Sequence, residues 1–525
     1  MSGSGQDWRR CVLTAARQKG QRLAERFGSL AIDRRGTIAM VFGLAMIPFA
    51  VATATAIDYA RAYLVQQRML HSLDAAALAL AASSHRDADD LTQVARSFFE
   101  ANYPDDGSST IGEISVTVDE STVTLSVSAS VDTALLQVVG IEAVSVAATT
   151  EVLKETKGAE IVLVLDNTGS MGNGGKLSAL KQATTDLVNI VFGNQEEPEL
   201  LKMGLVPFSA GVNVGADKVN SGWIDVDARS SYHGLNFAGG ANVFSMYAML
   251  SNKSWNGCVE ARPHPLDVLD TPPDPTNGDT LWVPYFAPDE PDDYPANRAG
   301  YSRYWNNYLD DGVNNNNLDM DYRQRRKEKY NGRYVSGAGP HDSCNIAPLT
   351  PLTNVKADLL DAVDKMVANG STVIPSGLAW GWRVLSPTPP FTEGVAYDDE
   401  EYRKVLVLLT DGMNDIGSNR GPLNSHNKSF YSGYGYVSQG RLGTTNVSAA
   451  HQELDARTAT LCENIKATGI TVYTITFQLA DGPIKDLMRD CASGPEKYFD
   501  SPDNATLRMH FNAIGKELRK LRISK

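Results

Sequence analysis

The sequence predicts an α/β fold whose C-terminal part is a doubly wound, mostly parallel sheet with large insertions. A membrane-spanning helix and a small α+β module precede that sheet. The sheet is predicted by two segments, Ile161–Leu165 and Lys404–Leu409, which are apolar apart from Lys404 and typical of strands buried on both faces. Segments of helical periodicity lie between such runs, as in βαβ units. The membrane helix is predicted by an uncharged apolar segment, residues 36–57.

Charge is distributed unevenly along the 525 residues. Residues 1–35 contain eight Lys/Arg and three Asp/Glu, a net charge of +5. Because the total is −14, the rest of the chain carries −19. A basic head on an acidic body argues against nucleic acid as the main partner.

The apolar segment, residues 36–57, is long enough to cross a bilayer, since a helix of this length spans roughly 33 Å. Arg34 and Arg35 precede it directly. The positive-inside rule therefore predicts a cytoplasmic head, residues 1–35, a single pass through the cytoplasmic membrane and a body outside the cytoplasm. A cleaved signal peptide is the alternative, because Ala52–Ala56 offers small residues for cleavage, although both head and apolar run are long for one.

Four of the five cysteines follow the predicted membrane helix, and only Cys11 precedes it. An even number on the translocated side predicts disulfide bonds, for which three pairings are possible. The pairing Cys258–Cys344 and Cys462–Cys491 is favoured, because each bond then stays within one region. The sequence contains no CxxC or Cys/His spacing at these positions that would indicate structural zinc.

Residues 58–153 are predicted to form one long helix followed by the small α+β module. The helix continues from Asp58 to about Ser83 without Gly or Pro, and residues 90–102 form a second one. Three strands with alternating apolar and polar residues follow, at 114–118, 123–131 and 143–152. The long helix is either a stalk packed on its own domain or a surface for partner helices that leave the membrane.

Residues 159–525 are predicted to form the parallel sheet, with insertions at about 211–348 and 416–447. Its further strands and helices are at residues 176–192, 200–208, 355–367, 374–385, 449–467, 470–477, 484–488, 497–499 and 505–521.

The first insertion is rich in Asn, Asp, Gly, Pro and aromatic residues and shows little periodicity. A long loop without structure is uncommon within a domain, so the aromatic residues predict a folded insertion that Cys258–Cys344 closes. Within it, residues 310–321 resemble a calcium loop in composition. They lack the glycine at position six and the closing glutamate of an EF-hand, so a solvated turn is the favoured interpretation.

Oxygen-bearing side chains follow the first apolar run at alternate positions, namely Asp166, Thr168 and Ser170. In an extended loop these positions point the same way, and one carboxylate and two hydroxyls suit a hard cation such as Mg²⁺. Asp411 follows the second apolar run, and Thr372 ends a loop in the same half of the fold. Ligands of open α/β sheets bind beyond the carboxyl ends of strands. We therefore expect five oxygen ligands around one ion, with room for water or one outside ligand.

Other interpretations of the first loop are an ordinary turn, a phosphate-binding loop and a hydrolase nucleophile elbow. Asp, Thr, Ser and Gly are common turn residues, so the segment by itself leaves the turn open. A phosphate-binding loop fails because Ser170 stands where its first Gly is needed before Gly175-Lys176. A nucleophile elbow fails because Thr168 stands where Gly should precede Ser170.

Three segments, LVLDNTGSMG, NGSTVIPSGLAWG and VLLTDGMND, resemble the metal-site loops of a von Willebrand factor type A domain. The resemblance implies that Asp166, Thr168, Ser170, Thr372 and Asp411 bind Mg²⁺ or another divalent cation such as Mn²⁺ or Ca²⁺. Thr168 replaces the Ser usual in this family and keeps the hydroxyl. The segment CASGPEKYFDSPDNATL also fits these domains, which supports the disulfide bond between the last two cysteines.

The N-terminal part resembles the TadG-like region of tight-adherence (Flp) pilus-assembly proteins. The resemblance rests on RRG before an apolar helix, then DYAR and a helix that ends in DAAALALAAS. This family couples such an anchor to an extracytoplasmic type A domain. Pilins of the same system are cut after a Gly and carry an acidic fifth residue, whereas Val41 stands five places after Gly36. Cleavage is therefore not expected.

Together these features predict a membrane-anchored assembly or adhesion protein rather than an enzyme. Its type A domain is expected to bind an acidic side chain of a protein partner through the ion, and pilin-like or other pilus-assembly proteins are candidates. A metal-dependent hydrolase is one alternative, with Asp415 as the nearest unassigned acid for a general base. A structural stalk whose ion only stiffens the loops is another.

Overall fold

The computed structural model describes residues 34–81, 88–104, 106–118, 122–153, 157–292, 306–311, 319–417 and 426–523. The predicted basic head apart from its last two residues, Cys11 and parts of both predicted insertions lie outside these residues. The chain separates into two compact units that divide between residues 155 and 156.

The first unit begins with α1 (Arg34–Ala81), one helix that contains both the predicted membrane segment and its continuation. Among the described residues, this helix alone is long and apolar enough to cross a membrane, with a mean hydropathy of 2.0 in its most apolar window. No side chain described between residues 38 and 57 is buried. From Asp58 onward, residues at helical spacing are buried, for example Ala62, Val65 and Met69.

The rest of the first unit is a helix and an antiparallel sheet. These elements are α2 (Ala88–Asn102), β1 (Ser109–Ile111), β2 (Ser115–Val118), β3 (Thr122–Asp132) and β4 (Ala143–Leu153). Strand β3 pairs with β1, β2 and β4. Its buried residues alternate as the sequence predicts, and they pack on the buried face of α1; they are Val123, Leu125, Val127, Ala129 and Val131.

The second unit contains the doubly wound, mostly parallel sheet, so the predicted fold class is confirmed. Its strands are β5 (Gly158–Asp166), β6 (Leu201–Phe208), β7 (Val212–Asn213), β8 (Cys258–Val259), β9 (Thr350–Thr353), β10 (Tyr402–Thr410), β11 (Thr471–Phe477) and β12 (Tyr498–Ser501). Their order is β12-β11-β10-β5-β6-β7-β8, and β9 also pairs with β6. The pairs from β12 to β6 are parallel, whereas those of β7, β8 and β9 are antiparallel.

Helices cover both faces of this sheet. They are α3 (Lys176–Phe192), α4 (Val243–Met249), α5 (Met320–Arg325), α6 (Lys356–Lys365), α7 (Ile374–Leu385), α8 (Val447–Ala467), α9 (Pro483–Cys491) and α10 (Asn504–Ile523). Ile161, Leu163 and Leu165 of β5 pack in the core that α3, α6 and α10 share, whereas Val162 and Val164 pack in the core of α7, α8 and α9. This alternation explains the uninterrupted apolar run, because each face of β5 is buried.

The strand order changes direction next to β5. The chain passes from β5 to β6 on one side and later to β10 on the other, and β5 is parallel to both. The crevice between β5 and β10 at their carboxyl ends is therefore the switch point at which such folds bind ligands.

The first insertion is folded against the sheet. Trp223 and Trp282 of the insertion pack on Trp380 of α7, with ring centroids 6.0 and 5.0 Å apart. Bonds join Cys258 to Cys344 and Cys462 to Cys491, which are the pairs favoured from the sequence. Strand β9 was not predicted, because its short TPLT sequence contains a proline, which is confined to edges and bulges of sheets.

The solvated turn expected at residues 310–321 is wrong for Asp311, which is buried. Its carboxylate accepts a hydrogen bond from Arg323 Nε at 2.9 Å and pairs with Lys329 Nζ at 3.1 Å. Lys329 also pairs with Asp289 at 2.8 Å. Burial of these charges is possible because each has a partner, which composition alone does not reveal. Residues 312–318 lie outside the described part.

Gly381 allows α7 to approach the sheet, because a Cβ at this position would overlap the side chain of Val164. We expect Gly381→Val to lower the free energy of unfolding by about 1–3 kcal/mol through overpacking. Urea denaturation of the detergent-solubilised chain measures this loss. Gly482→Ala is the control, because a Cβ there meets no atom within 4 Å and its backbone is extended. Equal midpoints for the two variants would contradict the close packing of α7.

Candidate metal centre

The first of the three loops predicted to bind metal begins where β5 ends, at the buried Asp166. The extended conformation expected after it is not present beyond Thr168, because Gly169–Gly172 forms a 3₁₀ turn. The turn nevertheless brings the hydroxyls of Thr168 and Ser170 within 2.9 Å of each other. The backbone N–H of Thr168 donates to Asp166 Oδ1 at 2.9 Å, which holds the carboxylate at the start of the loop.

The second carboxylate belongs to Asp411, which follows β10 directly. Its backbone N–H donates to Asp166 Oδ2 at 3.3 Å, and Thr410 Oγ1 donates to the same oxygen at 2.8 Å. Ser170 Oγ donates to Asp411 Oδ1 at 2.6 Å. The structure thus brings Asp166, Thr168, Ser170 and Asp411 into one hydrogen-bonded group at the switch point.

Thr372 lies beside the loop of Asp411. Its backbone N–H and C=O pair with those of Asp415 at 3.0 and 2.8 Å. Its hydroxyl lies 3.5 Å from where a Cβ on Gly412 would be. Gly370, in the same loop, has a φ of 83° and lies so close to the carbonyl of Ser343 that a Cβ would overlap it. The end of the first insertion therefore packs directly on the loop that carries Thr372.

Two carboxylates are buried next to each other at this centre. Asp166 is 0% and Asp411 is 5% exposed. Burial, followed by the neighbouring charge of Asp411, raises the pKa of Asp166 to about 6. The arrangement is thus short of positive charge, a condition that a bound cation relieves.

Lys176 supplies part of that charge. Its Nζ lies 2.8 Å from Asp411 Oδ2, and its side chain is mostly buried. Lys176 is the first residue of α3, the helix that follows the first loop. Its position there places the ammonium next to the carboxylate of Asp411. One ammonium against two carboxylates leaves a net charge of −1.

The donor set fits a hard divalent cation, for which oxygen ligands are preferred. It consists of two carboxylates and the neighbouring hydroxyls. It differs from a site built of three or more His, Cys, Asp or Glu, and no group of that kind is found among the described residues. Within the described part of the chain, Asn167 Oδ1 and Ser371 Oγ of the same loops are buried without a hydrogen-bond partner. Such oxygens are uncommon in folded proteins unless water or an ion satisfies them.

The sequence did not indicate three residues near these loops. In the sequence, Lys176 belongs only to the rejected phosphate-binding pattern, and no pattern gives Thr410 a role. His451 Nε2 lies 3.9 Å from Asp415 Oδ1, although no histidine belongs to the motif segments. A cue existed only for Lys176, since it begins the helix directly after the first loop.

Residues 36–84 match the family described as putative Flp pilus-assembly TadE/G-like. The N-terminal resemblance predicted from the sequence is therefore confirmed. No curated protein matches the chain significantly.

Several solved structures resemble the chain at low identity. The pilus adhesin SpaC from Lactobacillus rhamnosus GG in its open conformation is 12% identical over 79% of this chain and 35% of its own, with a TM-score of 0.29. The vWF domain of the type V pili tip protein Mfa5 from Porphyromonas gingivalis is 10% identical over 70% of this chain and 97% of its own, with a TM-score of 0.32. Proximal thread matrix protein 1 from the mussel byssus, with a zinc-occupied MIDAS motif, is 13% identical over 70% of this chain and 47% of its own, with a TM-score of 0.29. The chain spans about a third of the length of SpaC and about half that of the byssus protein.

We expect Thr410→Val to lower the free energy of unfolding by about 1–3 kcal/mol, because the buried Asp166 loses a hydroxyl donor. Urea denaturation in a chelating buffer measures the loss without a contribution from bound metal. Thr460→Val is the control, since this hydroxyl is exposed and bonds only within its helix, to the carbonyl of Ala456 at 3.0 Å. A loss no larger than the control's would show that Thr410 does not support the carboxylate.

Proposed function

We propose that this chain is a membrane-anchored pilus-assembly or adhesion protein that binds an acidic side chain of a protein partner through a divalent cation. The observation that carries the proposal is the hydrogen-bonded group of two buried carboxylates and two hydroxyls at the switch point of the sheet. Ser170 is exposed although Asp166 is buried, so the group opens to solvent on one side.

Five residues would hold the cation: Asp166, Thr168, Ser170, Thr372 and Asp411. Mg²⁺ is the ion expected from the oxygen donors, and Mn²⁺ or Ca²⁺ are alternatives. A bound divalent cation supplies a Lewis-acidic position for one outside ligand. Two carboxylates, one divalent ion and the ammonium of Lys176 together leave a net positive charge. This charge favours a carboxylate from the partner over a neutral group.

The proposed anchor is α1, with a cytoplasmic N-terminus and the second unit in the periplasm. Support comes from the match of residues 36–84 to the Flp pilus-assembly family and from the apolar character of the helix. Thr53 and Thr55 donate their hydroxyl hydrogens to the carbonyls of Phe49 and Val51, both at 2.8 Å, which satisfies them within the helix. The disulfide bonds of the second unit agree with an oxidising compartment. Pilin-like and other pilus-assembly proteins are the proposed partners.

Hydrolysis is the weaker alternative. Asp415, the acid considered as a general base, is half exposed and accepts the N–H of Gly417 at 2.8 Å. The neighbouring His451 lies beyond hydrogen-bond distance of this carboxylate, at 3.9 Å. Neither residue belongs to the hydrogen-bonded group around Asp166. A purely structural ion is the other alternative. It differs from the proposed role because its removal would leave partner binding unchanged.

Binding of Mg²⁺ should raise the melting temperature of the wild-type chain, since an ion at 100 times its Kd stabilises the folded state by about 2.7 kcal/mol. We expect Asp166→Ala and Ser170→Ala to lose this shift. Scanning fluorimetry with and without MgCl₂ measures it, and circular dichroism checks that the variants fold. Ser178→Ala, an exposed serine in α3, is the matched control. Equal shifts in all variants would place the ion elsewhere.

Partner capture should depend on the same ion. We expect a pull-down from a lysate of the source cells to recover a partner with the wild-type chain in Mg²⁺, and to lose it with chelator or with Asp166→Ala. Capture that survives chelator while the thermal shift disappears would favour a structural ion.

Lys176→Met should tighten Mg²⁺ binding by about tenfold, or ~1.4 kcal/mol, because it removes a cation that competes for Asp411. Isothermal titration with MgCl₂ measures the affinity. Lys181→Met is the control, since this ammonium binds the carbonyl of Asp364 at 2.7 Å, away from the centre. Weaker binding by Lys176→Met would mean that the ammonium supports the site.

A further inference from the structure

A group of apolar side chains lies open between β3 and β4 of the first unit. We name residues 135–141 the apolar loop. Its exposed members are Val138 (86% exposed), Val139 (51%), Ile141 (46%) and Leu135 (42%). The loop contains no charged residue. Single exposed apolar side chains are ordinary, but four within seven residues indicate a surface that contacts something apolar.

The apolar loop is held in a defined conformation by Asp58. The buried carboxylate of Asp58 accepts hydrogen bonds from the backbone N–H groups of Ala134, Leu135 and Leu136 at 2.9, 2.9 and 2.8 Å. Burial disfavours the charge of Asp58, but the three N–H donors outweigh it and hold the pKa of this carboxyl below its usual range. Thr133 Oγ1 closes the base of the loop by donating to the carbonyl of Ile141 at 2.5 Å. The apolar side chains are thus presented by a fixed turn.

Asp58 also marks the level at which α1 leaves the proposed membrane. It follows directly after the uncharged residues 36–57, which span roughly 33 Å against a hydrocarbon core of about 30 Å. It is the first buried residue from position 38 onward, where the described side chains of the helix begin. Helical side chains tilt toward the helix N-terminus, so Asp58 holds the apolar loop beside the end of the membrane segment. Tyr59 is exposed at this level and Tyr63 about one helical turn further along, and aromatic residues are common at the interfaces of membrane proteins.

We propose that the apolar loop inserts into the outer leaflet of the bilayer that α1 crosses. The proposal rests on α1 being a membrane anchor, which belongs to the proposed function. The occupant is lipid, because the apolar loop is exposed, contains no charged residue and is held by Asp58 at the end of the uncharged segment. A second contact with the same leaflet restricts tilting of the first unit about its single helix. Asp58 acts as the link, since it joins the helix backbone to the loop at the membrane surface.

The test places one nitroxide spin label at a time on the full chain in vesicles of phosphatidylethanolamine and phosphatidylglycerol. Cys11→Ser removes the fifth cysteine, which is outside the two disulfide bonds, and Val138→Cys places the label on the apolar loop. Leu44→Cys reports on the centre of the anchor. Leu78→Cys reports on an exposed apolar site of the same helix, about 30 Å beyond Asp58. Collision with oxygen, which partitions into lipid, is compared with collision with a water-soluble nickel chelate.

We expect the labels at 44 and 138 to favour oxygen over the nickel chelate severalfold more than the label at 78. A label at 138 that behaves like the one at 78, while the label at 44 lies in lipid, overturns the loop proposal and leaves the anchor intact. A label at 44 that is open to the nickel chelate overturns both. A label at 138 that neither reagent reaches also overturns lipid insertion, because a protein helix or a second copy then covers the loop.

Discussion

The candidate metal centre depends on the parallel pairing of β5 with β10. This pairing places Leu165 opposite Leu409, so Asp166 and Asp411 follow at neighbouring strand ends although most of the second unit separates them along the chain. Parallel strands bring their carboxyl ends to one edge, and the change in strand order leaves a crevice there. Helices on both faces bury the two strands and thereby fix the pairing. The cost of this arrangement is the burial of two like charges.

The surrounding residues offset that cost in separate ways. Asp166 accepts hydrogen bonds from the N–H groups of Thr168 and Asp411 and from the hydroxyl of Thr410. Asp411 accepts hydrogen bonds from the hydroxyl of Ser170 and the ammonium of Lys176. These donors hold the carboxylates together, yet they leave a net negative charge in a site of low exposure, where electrostatic interactions are strong. The affinity that we propose for a divalent cation follows from this imbalance, and Lys176 would set how tightly the ion binds.

In the first unit a single buried carboxylate, that of Asp58, likewise depends on hydrogen-bond donors around it. Asp58 is the position at which α1 changes from a helix exposed on all sides to one buried along a stripe. Its three backbone donors come from the turn between β3 and β4, and the guanidinium of Arg61 lies 3.7 Å from the same carboxylate. One residue therefore ends the apolar segment, begins the core of the unit and orients the apolar loop. A buried carboxylate is costly unless it accepts hydrogen bonds. The burial of Asp58 therefore requires the loop to keep its three N–H groups in place.

The sequence by itself determined the long apolar helix, the buried strands and the order of the three loops that we propose to bind metal. These features depend on hydrophobic periodicity and on residue types within short segments, which can be recognised without knowledge of distant contacts. Only the tertiary structure decided the 3₁₀ turn after Thr168, the pairing of Lys176 with Asp411 and the burial of Asp311. It also decided that Leu135 and Val138 are exposed, since local pattern does not distinguish them from core residues. The first two outcomes depend on partners far along the chain, because Gly169 donates its N–H to the carbonyl of Gly370 and Lys176 pairs with Asp411. The burial of Asp311 and the exposure of Leu135 and Val138 are set by tertiary packing rather than by local sequence.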